Sequence, residues 1–174
     1  MVSTLARLPD PSADCHEPLL LRKAVMRDLP ALLELINTPA AQGIMLARSE
    51  FELAENLRDF MVVCRQDEVV GCAALHFYTP AMGEIRSLAV APAWRRHGAG
   101  RQLVQALQEE ARASGLQGVF AFTYIPGFFE KLGFQGTERE ALPLKAWKDC
   151  LRCPKFQCCD EIAVIKLFDE AHNG

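Results

Sequence analysis

The chain has 174 residues, half of them hydrophobic (50%), with a formal net charge of -3 at neutral pH. That length and apolar content suit one globular domain with a real core, and the small negative charge argues against nucleic acid as the main partner, because the positive charge gathers at one turn instead of covering a face. Seven cysteines, an odd number unevenly spaced, fit a reducing cytoplasm better than a disulfide scaffold, so the expected location is cytoplasmic.

In chain order, residues 1–18 contain Pro9, Pro11 and Pro18 and lack both a basic start and a continuous apolar core. They are expected to form a flexible tail, neither signal peptide nor membrane anchor, with residues 19–174 as a single domain. Leu19 to Val25 reads as a first strand. Asp28 is then expected to cap a helix with Pro30 in its first turn and Leu32, Leu33, Leu35 and Ile36 on its apolar face, ended by Thr38-Pro39. Ser49-Glu50-Phe51-Glu52 is a capping box for a second helix, with Phe51, Leu53, Leu57 and Phe60 as buried candidates. Met61–Arg65 and Val69–Tyr78 flank a polar turn and read as a hairpin. Pro80–Gly83 turns the chain into a strand beginning at Glu84. Leu103, Val104, Leu107 and Ala111 recur at helical spacing, Ser114-Gly115 stops that helix, Gly118–Thr123 is the next strand, and Glu161–Phe168 closes the domain.

Between Glu84 and Arg101 an apolar strand runs into a basic turn that opens a helix. Gly98 and Gly100 lack a Cβ, so the backbone there can adopt positive φ and approach a ligand closely. The first N–H groups of the following helix, its dipole, and Arg95, Arg96 and Arg101 make a site for phosphate. A glycine-rich turn on its own is as often a plain helix start; the preceding strand and three arginines within seven positions favour the anion cradle.

The pattern Arg95-x-x-Gly98-x-Gly100 after Leu88-Ala-Val-Ala-Pro resembles the acetyl-CoA pyrophosphate loop of the GNAT N-acetyltransferases, and Phe128-Phe-Glu-Lys-Leu-Gly-Phe134 resembles that family's second signature. The resemblance implies an α/β (α+β) GNAT fold, with a mixed, mainly antiparallel central sheet flanked by helices and acetyl-CoA (coenzyme A) in the cleft between splayed central strands. It implies cofactor contacts from Leu88, Ala89 and Val90, whose backbone N–H groups would meet the acetyl oxygen, from Arg95, Arg96, His97, Gly98, Ala99, Gly100 and Arg101, and from Phe129.

Transfer of acetyl to an amine needs a base. Glu84 opens the central strand on the side where family members hold the amine and is the candidate; its alternative is a solvated strand-end glutamate. Many GNAT enzymes carry a tyrosine at the position of Phe129 that protonates the leaving thiolate. Here Tyr124 or Thr123 substitutes through a water, or no dedicated acid exists.

Within the superfamily, Gly43–Ser49, Val70–Leu75 and Gly83–Val90 resemble the acetyltransferase domain of N-acetylglutamate synthases, in a standalone form without the amino-acid-kinase domain. That implies an amino-acid N-acetyltransferase acting on the α-amine of glutamate in arginine biosynthesis. Arg48 would pair with a glutamate carboxylate, suited by its two parallel N–H bonds, and Arg86 is the second substrate-binding candidate. Arg48 can equally be an ordinary exposed helix-start arginine. The alternative functions are a protein or peptide N-acetyltransferase of the ribosomal-protein-modifying type, and a catalytically silent acyl-CoA sensor.

Expected partners are a small-molecule amino acid, no nucleic acid and no membrane, with a homodimer left open. Cys150, Cys153, Cys158 and Cys159 place four thiols in ten residues, enough in number for zinc. Because Cys158 and Cys159 are adjacent, no metal is assigned and unligated or redox-sensitive thiols are the commoner outcome. Of the four histidines only His97 sits at a site by sequence, where a solvated loop position is the alternative.

Overall fold

A computed structural model describes residues 18–142, 151 and 160–168. The tail over 1–17 and the four C-terminal cysteines named above lie outside the described residues.

Among the described residues seven strands form one sheet in the order β1-β2-β3-β4-β5-β7-β6. They are β1 (Leu20–Lys23), β2 (Phe60–Arg65), β3 (Glu68–Phe77), β4 (Met82–Val90), β5 (Gly118–Thr123), β6 (Gln135–Gly136) and β7 (Ile162–Leu167). Only β4 and β5 run parallel; the other neighbours are antiparallel. Helices α1 (Leu29–Ala40) and α2 (Glu50–Glu55) cover one face, and α3 (Ala99–Ala113) and α4 (Pro126–Glu130) the other. The mixed, mainly antiparallel sheet expected from the sequence is present.

The two cores follow from strand alternation. Val62, Cys72 and Ala74 turn toward Leu32, Ile36, Leu53 and Phe60. Val63, Leu75, Ile85, Val119 and Ala121 turn toward Leu103, Val104, Leu107 and Ala111. Leu103, Val104 and Leu107 are completely buried, so the 3.6-residue spacing read from the sequence is the inner stripe of α3. Truncating Leu107 to Ala would cost about 2–5 kcal/mol. Helix α3 ends where expected, with Gly115 at φ +79 and the Leu116 N–H donating to Ala111 C=O at 3.0 Å.

Several boundaries differ from the sequence reading. Asp28 stands at the N-cap of α1 but makes no side-chain cap bond. Its carboxylate instead accepts from Arg22 Nη1 at 2.6 Å, Arg22 Nη2 at 2.9 Å and the Val25 N–H at 2.8 Å. A charged donor on the edge strand outcompetes the helix amides. Pro39 lies inside α1, one residue before its end, because a proline in the last turn removes a single hydrogen bond and its fixed φ is already helical. Phe51, expected in the core, is 73% exposed, since α2 turns Leu53 inward and leaves Phe51 on the outer side; Phe60 is buried as the first residue of β2, not as part of a helix. Strand β4 starts at Met82, two residues earlier than expected. The Ser49 capping box is present: its Oγ accepts the Glu52 N–H at 3.2 Å while the Ser49 N–H donates to Glu52 Oε2 at 2.9 Å.

Candidate active site

The sheet opens at its centre. Strands β4 and β5 pair only at Met82–Gly118, Gly83–Val119 and Glu84–Phe120. Beyond Glu84 the β4 edge facing β5 is released from pairing, so the stretch over Leu88, Ala89 and Val90 borders a cleft. On its other edge β4 carries a bulge: Arg86 opposes Ala74 and Ala89 opposes Cys72, three steps against two. The extra residue is absorbed at Ser87, whose φ is +53. A left-handed non-glycine residue costs about 1–2 kcal/mol, and such strain is held where surroundings over-determine it. The Cys72 thiol donates to the Ser87 C=O at 3.7 Å from beneath. Complete burial pushes that thiol up to about 12, so it stays neutral and uncharged under the bulge.

The basic turn joins β4 to α3 at the mouth of this cleft. Gly98 is left-handed at φ +87, and a Cβ built on it would meet no protein atom within 4 Å. The backbone therefore presents an open concave face, as expected from the sequence. Gly100 differs: it lies inside α3, outside the positive-φ set, and its would-be Cβ falls 3.5 Å from Phe128 Cζ. The helical ladder begins with the Gln102 N–H donating to Gly98 C=O at 3.0 Å, so the N–H groups of Ala99, Gly100 and Arg101 have no intrahelical acceptor. Arg95, Arg96 and Arg101 are exposed around them, and Arg95 Nε donates to the Val90 C=O at 3.3 Å. This set of unpaired amides, a helix dipole over 15 residues and three guanidinium groups fits a pyrophosphate. Ala99 turns its methyl into the core, leaving only backbone for a ligand. His97 is an exposed loop side chain, its Nδ1 2.9 Å from the Arg95 C=O and its ring edge-on to Trp94 at 5.7 Å.

On the opposite side of the sheet, against α2, lies a cavity of about 290 Å³ lined by Arg48, Glu52, Leu53, Glu55, Asn56, Phe60, His76, Tyr78, Arg86 and Ser87. It brings together both candidate arginines, 38 positions apart in the chain. Arg48 is fixed through its backbone: Asn37 Nδ2 donates to the Arg48 C=O at 2.8 Å, and the Arg48 N–H donates to Asn37 Oδ1 at 2.9 Å. Arg86 projects from β4 on the face shared with Ala74. Glu84, two residues before it and on the same face, is 8% exposed and stands opposite His76 of β3. The solvated strand-end alternative for Glu84 is therefore excluded by its burial.

Thr123 ends β5, 6% exposed, and its Oγ1 accepts the Ile125 N–H at 3.0 Å. Tyr124 follows in the turn toward α4, half-buried. Phe129 is 3% exposed, edge-on to Phe128 and Phe134 at 5.2 Å each, so its ring fills the core. The ring that borders the basic turn is Phe128.

Sequence reasoning missed Asn37, Ser87, His76 and Tyr78. His76 Nδ1 lies 2.7 Å from Asp59 Oδ2, and its ring is edge-on to Tyr78 at 5.0 Å. The available signal was the parity of β3: His76 and Tyr78 stand at the same alternation as Cys72 and Ala74, which puts them on the α1/α2 face. Among the described residues there is no cluster of metal-ligating side chains and no helix long and apolar enough to cross a membrane.

The profile of the Acetyltransferase (GNAT) family matches residues 29–134. An uncharacterized N-acetyltransferase of Chlorobaculum tepidum is 41% identical over 146 residues, covering 84% of this chain and 94% of that protein. An amino-acid acetyltransferase of Mycobacterium tuberculosis is 39% identical over 136 residues, 76% of this chain and 75% of that one. Among solved structures, N-acetylglutamate synthase from Neisseria gonorrhoeae, complexed with coenzyme A and N-acetyl-glutamate, superposes with a TM-score of 0.80 at 27% identity. That match covers 88% of this chain but 36% of the synthase, of which this chain therefore spans about a third.

Proposed function

Because this chain belongs to the GNAT acetyltransferase family and is an acyltransferase, we propose that it transfers acetyl from acetyl-CoA to the α-amine of a free amino acid, glutamate, as a step toward arginine synthesis. The observation that carries this reading is the cavity against α2, where Arg48 and Arg86 line one small space beside the opening of β4 from β5. Two guanidinium groups suit a ligand with two carboxylates, each able to accept paired N–H bonds. A volume of about 290 Å³ suits a small molecule better than a chain segment. The amino-acid acetyltransferase and N-acetylglutamate synthase named above support the same reading by similarity.

When bound, acetyl-CoA supplies an acyl group on a thioester, whose thiol, with a pKa near ~8.5, leaves with little assistance. Arg95, Arg96, Arg101 and the first amides of α3 would hold its pyrophosphate, Gly98 giving the backbone room to approach. Phe128 closes the side of that cradle next to Gly100. On the β4 edge facing the cleft, N–H groups of Leu88 and Val90, the neighbours of Ala89, whose own N–H faces Cys72, would meet the acyl oxygen as fixed donors that need no reorganisation. Arg48 and Arg86 orient the acceptor by its carboxylates, which fixes the amine relative to β4. Glu84, buried on the same face, accepts a proton from the ammonium so that the amine can attack. Thr123 and Tyr124 stand at the end of β5, across the cleft, where either can pass a proton to the departing sulfur through water.

The direct test is acetyl turnover on free glutamate, aspartate, glutamine and a short peptide. Glutamate should give the highest kcat/KM. Preference for the peptide would replace this reading with a protein N-acetyltransferase, and absence of turnover with coenzyme A still binding would leave a silent sensor.

A further inference from the structure

Glu84 is enclosed, with 8% of its surface exposed, and a base that removes a proton at every turnover must also dispose of it. Directly across the sheet, in register, stands His76. Residues so paired on one face have Cβ atoms about 4.5–5.5 Å apart, close enough for a carboxyl group and an imidazole to meet directly or through one water. The His76 side chain lines the acceptor cavity and is 32% exposed, so its ring is accessible to solvent.

Asp59 defines what the ring can do. It ends the 3₁₀ turn Leu57–Asp59 just before β2, and its Oδ2 lies 2.7 Å from His76 Nδ1. A carboxylate can only accept, so Nδ1 carries the hydrogen and Nε2 keeps a lone pair. Tyr78, edge-on at 5.0 Å, limits rotation of the ring. The other charged groups facing this space are Arg48 before α2, Glu52 and Glu55 on α2, and Arg86 on β4.

We propose that the Asp59–His76 pair is the proton outlet of the acceptor cavity, taking from Glu84 the proton that Glu84 removes from the amine and releasing it to solvent. This rests on Glu84 being the base. In the first step an N–H bond of the acceptor breaks and an O–H bond forms on Glu84. In the second that O–H bond breaks and an N–H bond forms at His76 Nε2, the imidazolium charge being balanced by Asp59. The imidazolium then gives the proton to water. Both groups return to their starting state and nothing is oxidised or reduced. His76 is thus a positioning and relay residue, acting through Glu84 on the reacting amine.

The test compares wild type, His76→Ala, His76→Gln and Asp59→Asn on whichever acceptor amine the wild type acetylates, with folding checked by circular dichroism. His76→Ala should lower kcat by about 10²-fold with both KM values within about twofold, and added imidazole should restore much of the lost rate. His76→Gln, which fills the space without a base, should be equally slow and not be rescued. Asp59→Asn should fall between them and wild type. Wild-type kcat in His76→Ala, or a loss in a folded variant that imidazole does not restore, would overturn the proposal. Glu84→Gln, run in parallel, separates the two ideas: if it is slow while His76→Ala is normal, the outlet fails and the base stands. If Glu84→Gln runs at the wild-type rate, the base itself is misassigned and the outlet falls with it.

Discussion

The side-chain amide of Asn37 brackets the backbone of Arg48, donating to its C=O at 2.8 Å and accepting from its N–H at 2.9 Å. The last turn of α1 thereby holds the segment leading into α2, and Arg48 enters the cavity from a backbone fixed on both its polar groups. Neutral hydrogen bonds of this kind are worth about 0.5–1.5 kcal/mol each. Asn37→Ala should reduce kcat/KM for the acceptor by roughly tenfold while KM for acetyl-CoA stays constant. Equal losses toward both substrates in steady-state kinetics would mean that Asn37 serves only the fold.

At the cofactor turn the two glycines should respond differently. Gly98→Val adds side chain where no protein atom lies, in a backbone conformation that costs a non-glycine residue about 1–2 kcal/mol. The domain should fold and its acetyl-CoA affinity should collapse. Gly100→Val has normal helical backbone and pushes toward Phe128, so it should weaken affinity with less effect on stability. Calorimetry giving unchanged affinity in a folded Gly98→Val protein would refute the pyrophosphate assignment.

Glu84→Gln preserves shape and removes the proton acceptor. Its kcat should fall by roughly 10²–10⁴, and the deficit should narrow as pH rises, because the free amine then loses its proton unaided. A pH–rate profile that parallels wild type would leave Glu84 as a structural residue.

Asp28 couples stability to pH. The two Arg22 N–H bonds hold its carboxyl below the ordinary carboxylate range, with the Val25 N–H adding to the effect against the cost of burial. Since the folded-state value is depressed, the contribution is fully present above the unfolded value near ~3.9 and disappears as pH falls through the folded one. Asp28→Asn should therefore lose about 1.5–3 kcal/mol at neutral pH, and the gap to wild type should close in denaturant titrations at progressively more acidic pH. A gap that is constant with pH would assign the loss to packing.

What the sequence revealed and what it concealed divide along one line. Local signals were legible: the capping box at Ser49, the periodic stripe of α3, the left-handed stop at Gly115, and the strand–turn–helix around Gly98 each rest on residues within a few positions of one another. Glu84 was legible as a strand residue, but its burial depends on its partners in β3 and β5. The bracket between Asn37 and Arg48 spans 11 positions and the Asp59–His76 contact 17, across different elements, so neither leaves a spacing to read. The bulge at Ser87 is hidden for the same reason, since it exists only relative to the register of β3. Asp28 stands at the helix start where the sequence puts it, but its carboxylate is drawn to Arg22 instead of the helix amides, and Phe51 is exposed because of the direction in which α2 meets the sheet.

The most direct measurement is kcat/KM for free glutamate in wild type, Arg48→Ala and Arg48→Lys. Removing the guanidinium leaves a substrate carboxylate without its charged partner, at about 2–3 kcal/mol, or a 30- to 150-fold loss. Lysine should recover only part of it, because an ammonium cannot make two parallel bonds. KM for acetyl-CoA should stay constant throughout, since Arg48 lies across the sheet from the basic turn. Equal activity of wild type and Arg48→Ala on glutamate would contradict an amino-acid acetyltransferase that reads its substrate through Arg48.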